Sequence, residues 1–213
     1  MELRQKAFVL PLGIDLRRFD PYKVVSYPIV DEPPLIIWNH RWEFDKNPRD
    51  FFDTLDAVRE SGLDFRLALL GENFQTVPEE FVSARDRYGD RILQYGYVES
   101  KDTYYKWLRR GSVVISTATQ ENFGISIVEA VHYGCIPLLP CRLSYPEIIP
   151  EAFHNDFLYK RHDELVEKLC RVLSEPERSV NGAMAISKHM DRFSWENMIR
   201  SYDAELETLA RMK

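Results

Sequence analysis

The feature that most restricts the fold of this chain is a succession of short apolar runs: PLIIW (34–38), FRLALL (65–70), RILQY (91–95), VVIS (113–116), IPLLP (136–140) and DFLY (156–159). Each is short and bounded by polar, Gly or Pro residues. That pattern suits a strand covered on both faces. The segments between them carry a helical period instead. Residues 50–60 place Phe51, Phe52, Leu55 and Val58 on one stripe, and residues 163–173 do the same with Leu165, Val166, Leu169, Val172 and Leu173. Ser100 and Gly111 bracket SKDTYYKWLRRG as an N-cap and a stop, and Ser194 stands where it can cap a last helix over 194–213. Strands alternating with helices predict an α/β fold with a doubly wound, mainly parallel sheet.

At 213 residues, 45% hydrophobic and 13% aromatic, the chain can bury one sizeable core. No apolar run approaches the roughly 18 residues of a membrane span, and MELRQKAFVLPLG lacks the apolar stretch of a signal peptide. A soluble protein in a cytoplasmic setting is expected, with no membrane partner. Cys135, Cys141 and Cys170 show no C-x-x-C spacing, which points to reduced packing residues rather than disulfides or a zinc site. The net charge of −6 disfavours a broad surface for nucleic-acid phosphates, so any anion contact must be local.

Doubly wound sheets bind ligands outside the carboxyl ends of their strands. Three loops following strands therefore matter: NHRWEFDKNP, GENFQTVP and TATQENFG. The first carries Arg41 and Lys46 just before a helix that Pro48 helps to start. Two cations beside a helix N-terminus suit a diphosphate, through the guanidinium fork, the ammonium charge and free amides. They equally suit solvated charges paired with Glu43 and Asp45. In the last loop, Gly124 is expected to open a helix ending near Gly134 and to present unpaired amides with no side chain in the way. Glu121 would sit on the lip and Glu129 about one turn inside. Carboxylates there can accept from sugar hydroxyls, or simply favour the positive end of the helix dipole. Glu129 lies among apolar neighbours in ISIVEAVHYG and needs a partner, which a ligand hydroxyl could be. His132 on the same segment reads as structural, and Trp38 and Trp42 as core.

ENFGISIVEA resembles the E-x7-E motif of retaining glycosyltransferases of family 4 with the GT-B fold. VLPLGIDLRRF is similar to the segment that opens the donor domain in that family, with Leu12 in place of the usual Asn. NHRWEFDK keeps Arg41 and Lys46 in register with the G-R-L-x-x-x-K pattern, with His40 at the customary Gly, and FSWENMIRSY resembles the closing F-S-W helix. Together, WNHRWEFDKNP, LLGENFQTVPEEF, YGYVESKDTYYKWL and YPEIIP look like the tRNA-queuosine α-mannosyltransferase group and its bacterial relatives.

The resemblance implies one Rossmann-like half of a GT-B architecture, with a linker at 1–20, a nucleotide-sugar donor-binding domain at 21–193 and a crossing helix at 194–213. The acceptor-binding half would lie outside this chain, which alone would have little activity. It also implies GDP-mannose or another nucleotide sugar as donor, no metal (there is no D-x-D motif), and an acceptor such as queuosine in tRNA. Arg41 and Lys46 would hold the diphosphate, with His40 beside it, and Glu121 the transferred sugar. Phe123, Gly124 and Ile125 would offer backbone contacts, Glu129 would bind the ribose, and the base would lie near Gly71, Glu72, Tyr97 and Val98. Transfer would proceed with retention through an oxocarbenium-like state, the leaving diphosphate helping to deprotonate the acceptor. The alternatives are a non-catalytic nucleotide-sugar-binding module, and a UDP-sugar-dependent transferase or epimerase half. A dehydrogenase is disfavoured because no G-x-G-x-x-G follows the first strands.

Overall fold

A computed structural model describes residues 9–16, 32–72 and 76–211. Six strands, β1 (Leu35–Trp38), β2 (Arg66–Leu69), β3 (Ile92–Tyr95), β4 (Val113–Ile115), β5 (Ile136–Pro140) and β6 (Leu158–Tyr159), form one sheet in the order β3-β2-β1-β4-β5-β6. All neighbouring strands are parallel. The predicted α/β fold is therefore present as a doubly wound sheet. The chain runs outward from β1 through β2 to β3, then returns to lay β4 on the other side of β1. The carboxyl ends of β1 and β4 form the switch point, where the following loops diverge and leave a crevice.

The central strands are apolar on both faces because both faces are covered: every residue of β1, β4 and β5 is buried. Helices α1 (Pro48–Glu60), α2 (Glu79–Tyr88), α3 (Lys101–Arg110), α4 (Ile125–His132), α5 (Tyr145–Ile148), α6 (His154–Phe157), α7 (His162–Ser174), α8 (Pro176–His189) and α9 (Trp195–Arg211) provide that cover together with the loops. The stripe on α1 behaves as its spacing predicts, with Phe51, Phe52, Leu55 and Val58 all fully buried. Each contributes about 1.5–3 kcal/mol relative to exposure. Trp38 and Trp42 are core residues, the latter stacked on Phe81 at 4.3 Å. None of the described helices is long and apolar enough to cross a membrane.

Ser100 caps α3 by accepting from the amide of Thr103 at 3.4 Å, and Ser194 caps α9 by accepting from Asn197 at 3.3 Å. The start of α9 is also tied to the chain's beginning. Ile14 donates to Phe193 O at 2.8 Å, its own carbonyl receives Trp195 N at 2.8 Å, and Tyr202 Oη donates to Pro11 O at 2.8 Å. The expected boundary between linker and domain, at residues 20 and 21, lies outside the described residues.

Three expectations are corrected. Residues 156–159 are not all strand: Asp156 and Phe157 end α6, and only Leu158 and Tyr159 pair with β5. Phe157 is buried from a helical turn, and an apolar run this short carries no period to tell the two states apart. Cys141 is exposed after β5 and is no packing residue, unlike buried Cys135. The run at 91–95 is not covered on both faces, since β3 is an edge strand with none of its residues fully buried, whereas Gly124 opens α4 as expected, as its N-cap at a left-handed φ of 95°.

Gly71 shows how closely the loops after β1 and β2 pack. A Cβ there would stand 2.0 Å from the His40 carbonyl oxygen and 2.2 Å from Cδ1 of Trp42. The backbones join directly alongside, Trp42 N donating to Glu72 O at 2.9 Å. Gly71→Ala is therefore expected to lower the unfolding free energy by about 1–3 kcal/mol through overpacking, read as an earlier midpoint in chemical denaturation.

Candidate functional site at the β1–β4 switch point

The loop after β1 (residues 39–47) and the loop after β4 (residues 116–124) are joined across the switch point, largely by backbone acceptors. Thr117 Oγ1 lies within hydrogen-bond distance of the carbonyls of Lys46 (2.9 Å) and Asn47 (2.8 Å), while Thr119 and Gln120 donate their amides to the carbonyl of Asp45 at 2.8 and 3.3 Å. On the far side, Arg142 braces the second loop, donating to the carbonyls of Ala118 and Thr117 at 3.1 and 3.2 Å. Asn47 enters α1 from a left-handed φ of 51°, which turns the chain sharply between Lys46 and Pro48.

These joins bring Lys46 and Glu121 together although they are far apart in sequence. The Lys46 side chain is only 8% exposed, and its Nζ donates to Gln120 O at 2.6 Å, with Asp45 Oδ2 at 3.0 Å and Glu121 Oε2 at 3.5 Å. A buried ammonium needs such partners. Arg41 stands apart from this arrangement. It is 52% exposed and pairs with Glu43 at 3.1 Å, so both pairings read from the sequence are present, but only Arg41 is a solvated charge.

Glu121 does more than sit on the lip. Its Oε1 accepts from the amides of Asn122, Phe123 and Gly124 at 3.1, 3.3 and 3.0 Å. The expectation of unpaired amides at Phe123 and Gly124 is corrected accordingly, because the carboxylate folds back onto its own loop. The amides of Ile125 and Ser126, in the first turn of α4, have no acceptor among the described residues. Gly124 is needed for its backbone conformation, and its missing Cβ would meet Ile148 Cδ1 at 3.1 Å rather than open space. Ile125 is exposed, while Phe123 packs edge-on against Phe193.

Glu129, on the second turn of α4, has its partner within the protein. Tyr104 Oη donates to Oε2 at 3.0 Å, and Asn39 Nδ2 donates to Tyr104 Oη at 3.1 Å and to Ser126 O at 2.7 Å. Burial pushes the Glu129 carboxyl up and the Tyr104 bond pulls it back down, while burial also holds the Tyr104 phenol well above its usual range. Asn39, Tyr104 and Arg142 escape sequence reasoning. The one available signal is the position of Asn39 at the end of a buried strand, since Tyr104 lies on a helix whose facing partner only the fold specifies.

His40 is 3% exposed. Its Nδ1 lies 3.3 Å from Ser126 Oγ, and its Nε2 has no partner among the described residues. Burial lowers its pKa to about 4, more than the nearby carboxylates of Glu121 and Asp45 raise it, so the ring is neutral at pH 7. His132 is buried, with Nδ1 at 3.5 Å from Asp191 and its carbonyl accepting from Ser187 Oγ at 2.8 Å, as a structural residue should be. Of the residues expected around a base, Gly71 is buried, Glu72 joins Trp42 through its carbonyl, Tyr97 is exposed and Val98 is packed against the core. Gly96, before Tyr97, donates to Leu69 O at 2.8 Å, which places the turn after β3 beside the end of β2.

Comparison with known proteins gives the family and the fold. Residues 23–188 match the family described as glycosyl transferases group 1. The chain is 34% identical over 208 residues to tRNA-queuosine alpha-mannosyltransferase of Drosophila melanogaster, spanning 94% of this chain and 54% of that protein. It is 23% identical over 205 residues to the GDP-mannose-dependent alpha-(1-6)-phosphatidylinositol dimannoside mannosyltransferase of Mycobacterium tuberculosis, spanning 94% and 52%. The chain thus covers about half the length of these curated relatives. A glycosyltransferase from Rickettsia africae ESF-5 superposes with a TM-score of 0.76 at 16% identity, over 98% of this chain and 59% of the other. Sucrose-phosphate synthase from Thermosynechococcus elongatus does so with 0.75 at 18%, over 99% and 56%. These likenesses establish the fold as one half of a GT-B architecture.

The buried His40 has a measurable consequence. Its folded pKa of about 4 lies below the ordinary 6.5, so the unfolded state binds the proton more readily between those values. The resulting stability is fully present above pH 6.5 and is lost as pH falls towards 4, up to about 3 kcal/mol at 1.36 kcal/mol per unit. His40→Gln should flatten that part of the profile, seen as a smaller difference in unfolding free energy between pH 7.5 and 4.5 than in the wild type.

Proposed function

We propose that this chain, which belongs to the glycosyl transferases group 1 family, is the donor-binding half of a retaining mannosyltransferase. Its sugar comes from GDP-mannose, and its acceptor is queuosine in tRNA. The fly and mycobacterial relatives are both mannosyltransferases, which supports the sugar, and the fly relative supports the acceptor. The observation that carries the reading is the convergence of Lys46 and Glu121 across the β1–β4 switch point, at the start of the helix that also bears Glu129.

In this reading the diphosphate lies against Lys46, whose ammonium is held in place by the Gln120 carbonyl rather than left on a flexible stem. Arg41 swings from Glu43 to join it. As the glycosidic bond breaks, negative charge grows on the leaving diphosphate, and a cation already in position stabilises that charge without reorganising. The amides of Ile125 and Ser126 and the helix dipole add to the same field. With that field supplied by the protein, donor binding proceeds without a metal. Glu121 accepts from hydroxyls of the transferred sugar, which loosens its hold on the amides of Phe123 and Gly124. Glu129 accepts from the ribose, and the base rests by Gly71, Glu72, Tyr97 and Val98. No protein nucleophile takes part: the sugar leaves as an oxocarbenium-like species, and the departing diphosphate helps to deprotonate the acceptor hydroxyl on the same face.

The remaining half of the machinery belongs to an acceptor domain outside residues 1–213. Residues 1–20 act as the linker to it, 21–193 as the donor domain and 194–213 as the crossing helix, in a protein of the cytoplasm. Calorimetric titration tests the donor site. The chain is expected to bind GDP-mannose and GDP in preference to UDP-glucose, and Arg41→Ala with Lys46→Ala is expected to weaken GDP-mannose at least tenfold, since charge-assisted bonds contribute about 1.5–3 kcal/mol each. Unchanged affinity in the double variant removes the cations from the site, and preference for UDP-glucose removes guanine from it.

A further inference from the structure

Glu129 ends a chain of hydrogen bonds that links three elements, and the direction of each bond can be read from the chemistry. Ser126 O is an acceptor, so the Asn39 amide must turn its nitrogen towards α4, and the other hydrogen of that nitrogen goes to Tyr104 Oη. The single hydrogen of the phenol is then committed to Glu129 Oε2. The order of donation is therefore Asn39 to Tyr104 to Glu129, running from the end of β1 through α3 to α4. This orientation leaves Asn39 Oδ1 buried with no partner among the described residues. An amide so placed persists only where its two donated bonds outweigh that loss.

Glu129 Oε2 is thus occupied, and no described residue donates to Oε1. We propose that Asn39 and Tyr104 are positioning residues for donor recognition: they lock the Glu129 side chain in one rotamer with Oε2 filled, so that Oε1 alone meets the ribose hydroxyls of the nucleotide. This rests on the assignment of Glu129 to the ribose and deepens it. Two consequences follow from the arrangement. The carboxylate is presented in a fixed direction instead of being ordered at the moment of binding. The phenol's bond also opposes the effect of burial, which pushes the Glu129 carboxyl up, and so favours the ionised, acceptor-only form. Asn39 adds a mechanical link, because the strand end that begins the Lys46 loop is tied by the same amide to the first turn of α4.

The test compares GDP with 2′,3′-dideoxy-GDP, which lacks the hydroxyls in question, by calorimetry on wild type, Tyr104→Phe and Asn39→Ala. Wild type is expected to bind GDP at least tenfold more tightly than the dideoxy compound. Tyr104→Phe should bind GDP five- to tenfold more weakly than wild type while matching it within twofold for dideoxy-GDP, and Asn39→Ala, measured independently, should show the same one-sided loss. The acid limb of GDP binding should also move to higher pH in Tyr104→Phe. Equal losses for both nucleotides, or no loss for GDP, overturn the positioning role. Failure of wild type to discriminate between the nucleotides instead overturns the ribose assignment on which it rests, so the two failures are told apart.

Discussion

The structure depends on the bonding between two loops that leave neighbouring parallel strands in opposite directions. Parallel order places β4 beside β1, and the loops that follow would be free to splay apart there. They do not, because the Asp45 carbonyl accepts from the amides of Thr119 and Gln120, and the Thr117 hydroxyl shares its one hydrogen between the carbonyls of Lys46 and Asn47. Backbone acceptors leave little slack, since a carbonyl that lost its donor in a buried loop would lie unsatisfied. Lys46 and Glu121 are brought within reach of each other as a by-product of that satisfaction.

The polar groups behind the crevice obey the same rule. Lys46 is buried among a carbonyl and two carboxylates, Glu129 is half-buried against a phenol, and His40 is buried neutral beside Ser126. In a low-dielectric pocket each of these is costly alone and tolerable together. Burial also governs their protonation, moving His40 down and Glu129 up from their ordinary values. Asn39 is the joint between these groups, since its one amide reaches both the phenol that serves Glu129 and the helix that bears it.

Much of the fold was legible because its signals are local. Apolar runs announced the parallel strands, although β3 lies half-exposed at the sheet edge, the stripe on α1 announced its buried face, and Ser100 and Ser194 announced helix starts through their side-chain oxygens. The helices α2 and α8 went unread, because each buries only three residues, Phe81, Ala84 and Tyr88 in α2 and Ala183, Ile186 and Ser187 in α8, a short stripe that includes small or polar side chains. The run at 156–159 misled because a few apolar residues carry no period. The spacing of Glu121 and Glu129 and the family they indicate were equally readable, and the family match agrees. What each glutamate touches was not. Glu121 was expected to leave the amides beyond it free and instead accepts from three of them, a local turn whose energy no pattern of residue types reports.

The sequence by itself determined the layer architecture, the loops where a ligand could bind and the family, because periodicity, capping chemistry and short motifs act over a few residues. Only the tertiary structure decided that Lys46 would be buried while Arg41 stayed at the surface, that Tyr104 would face Glu129, and that Gly71 would lie under His40 and Trp42. Those outcomes depend on strand order and on contacts between residues far apart in the chain. Their energies come from desolvation and close approach, which exist only once the elements have packed.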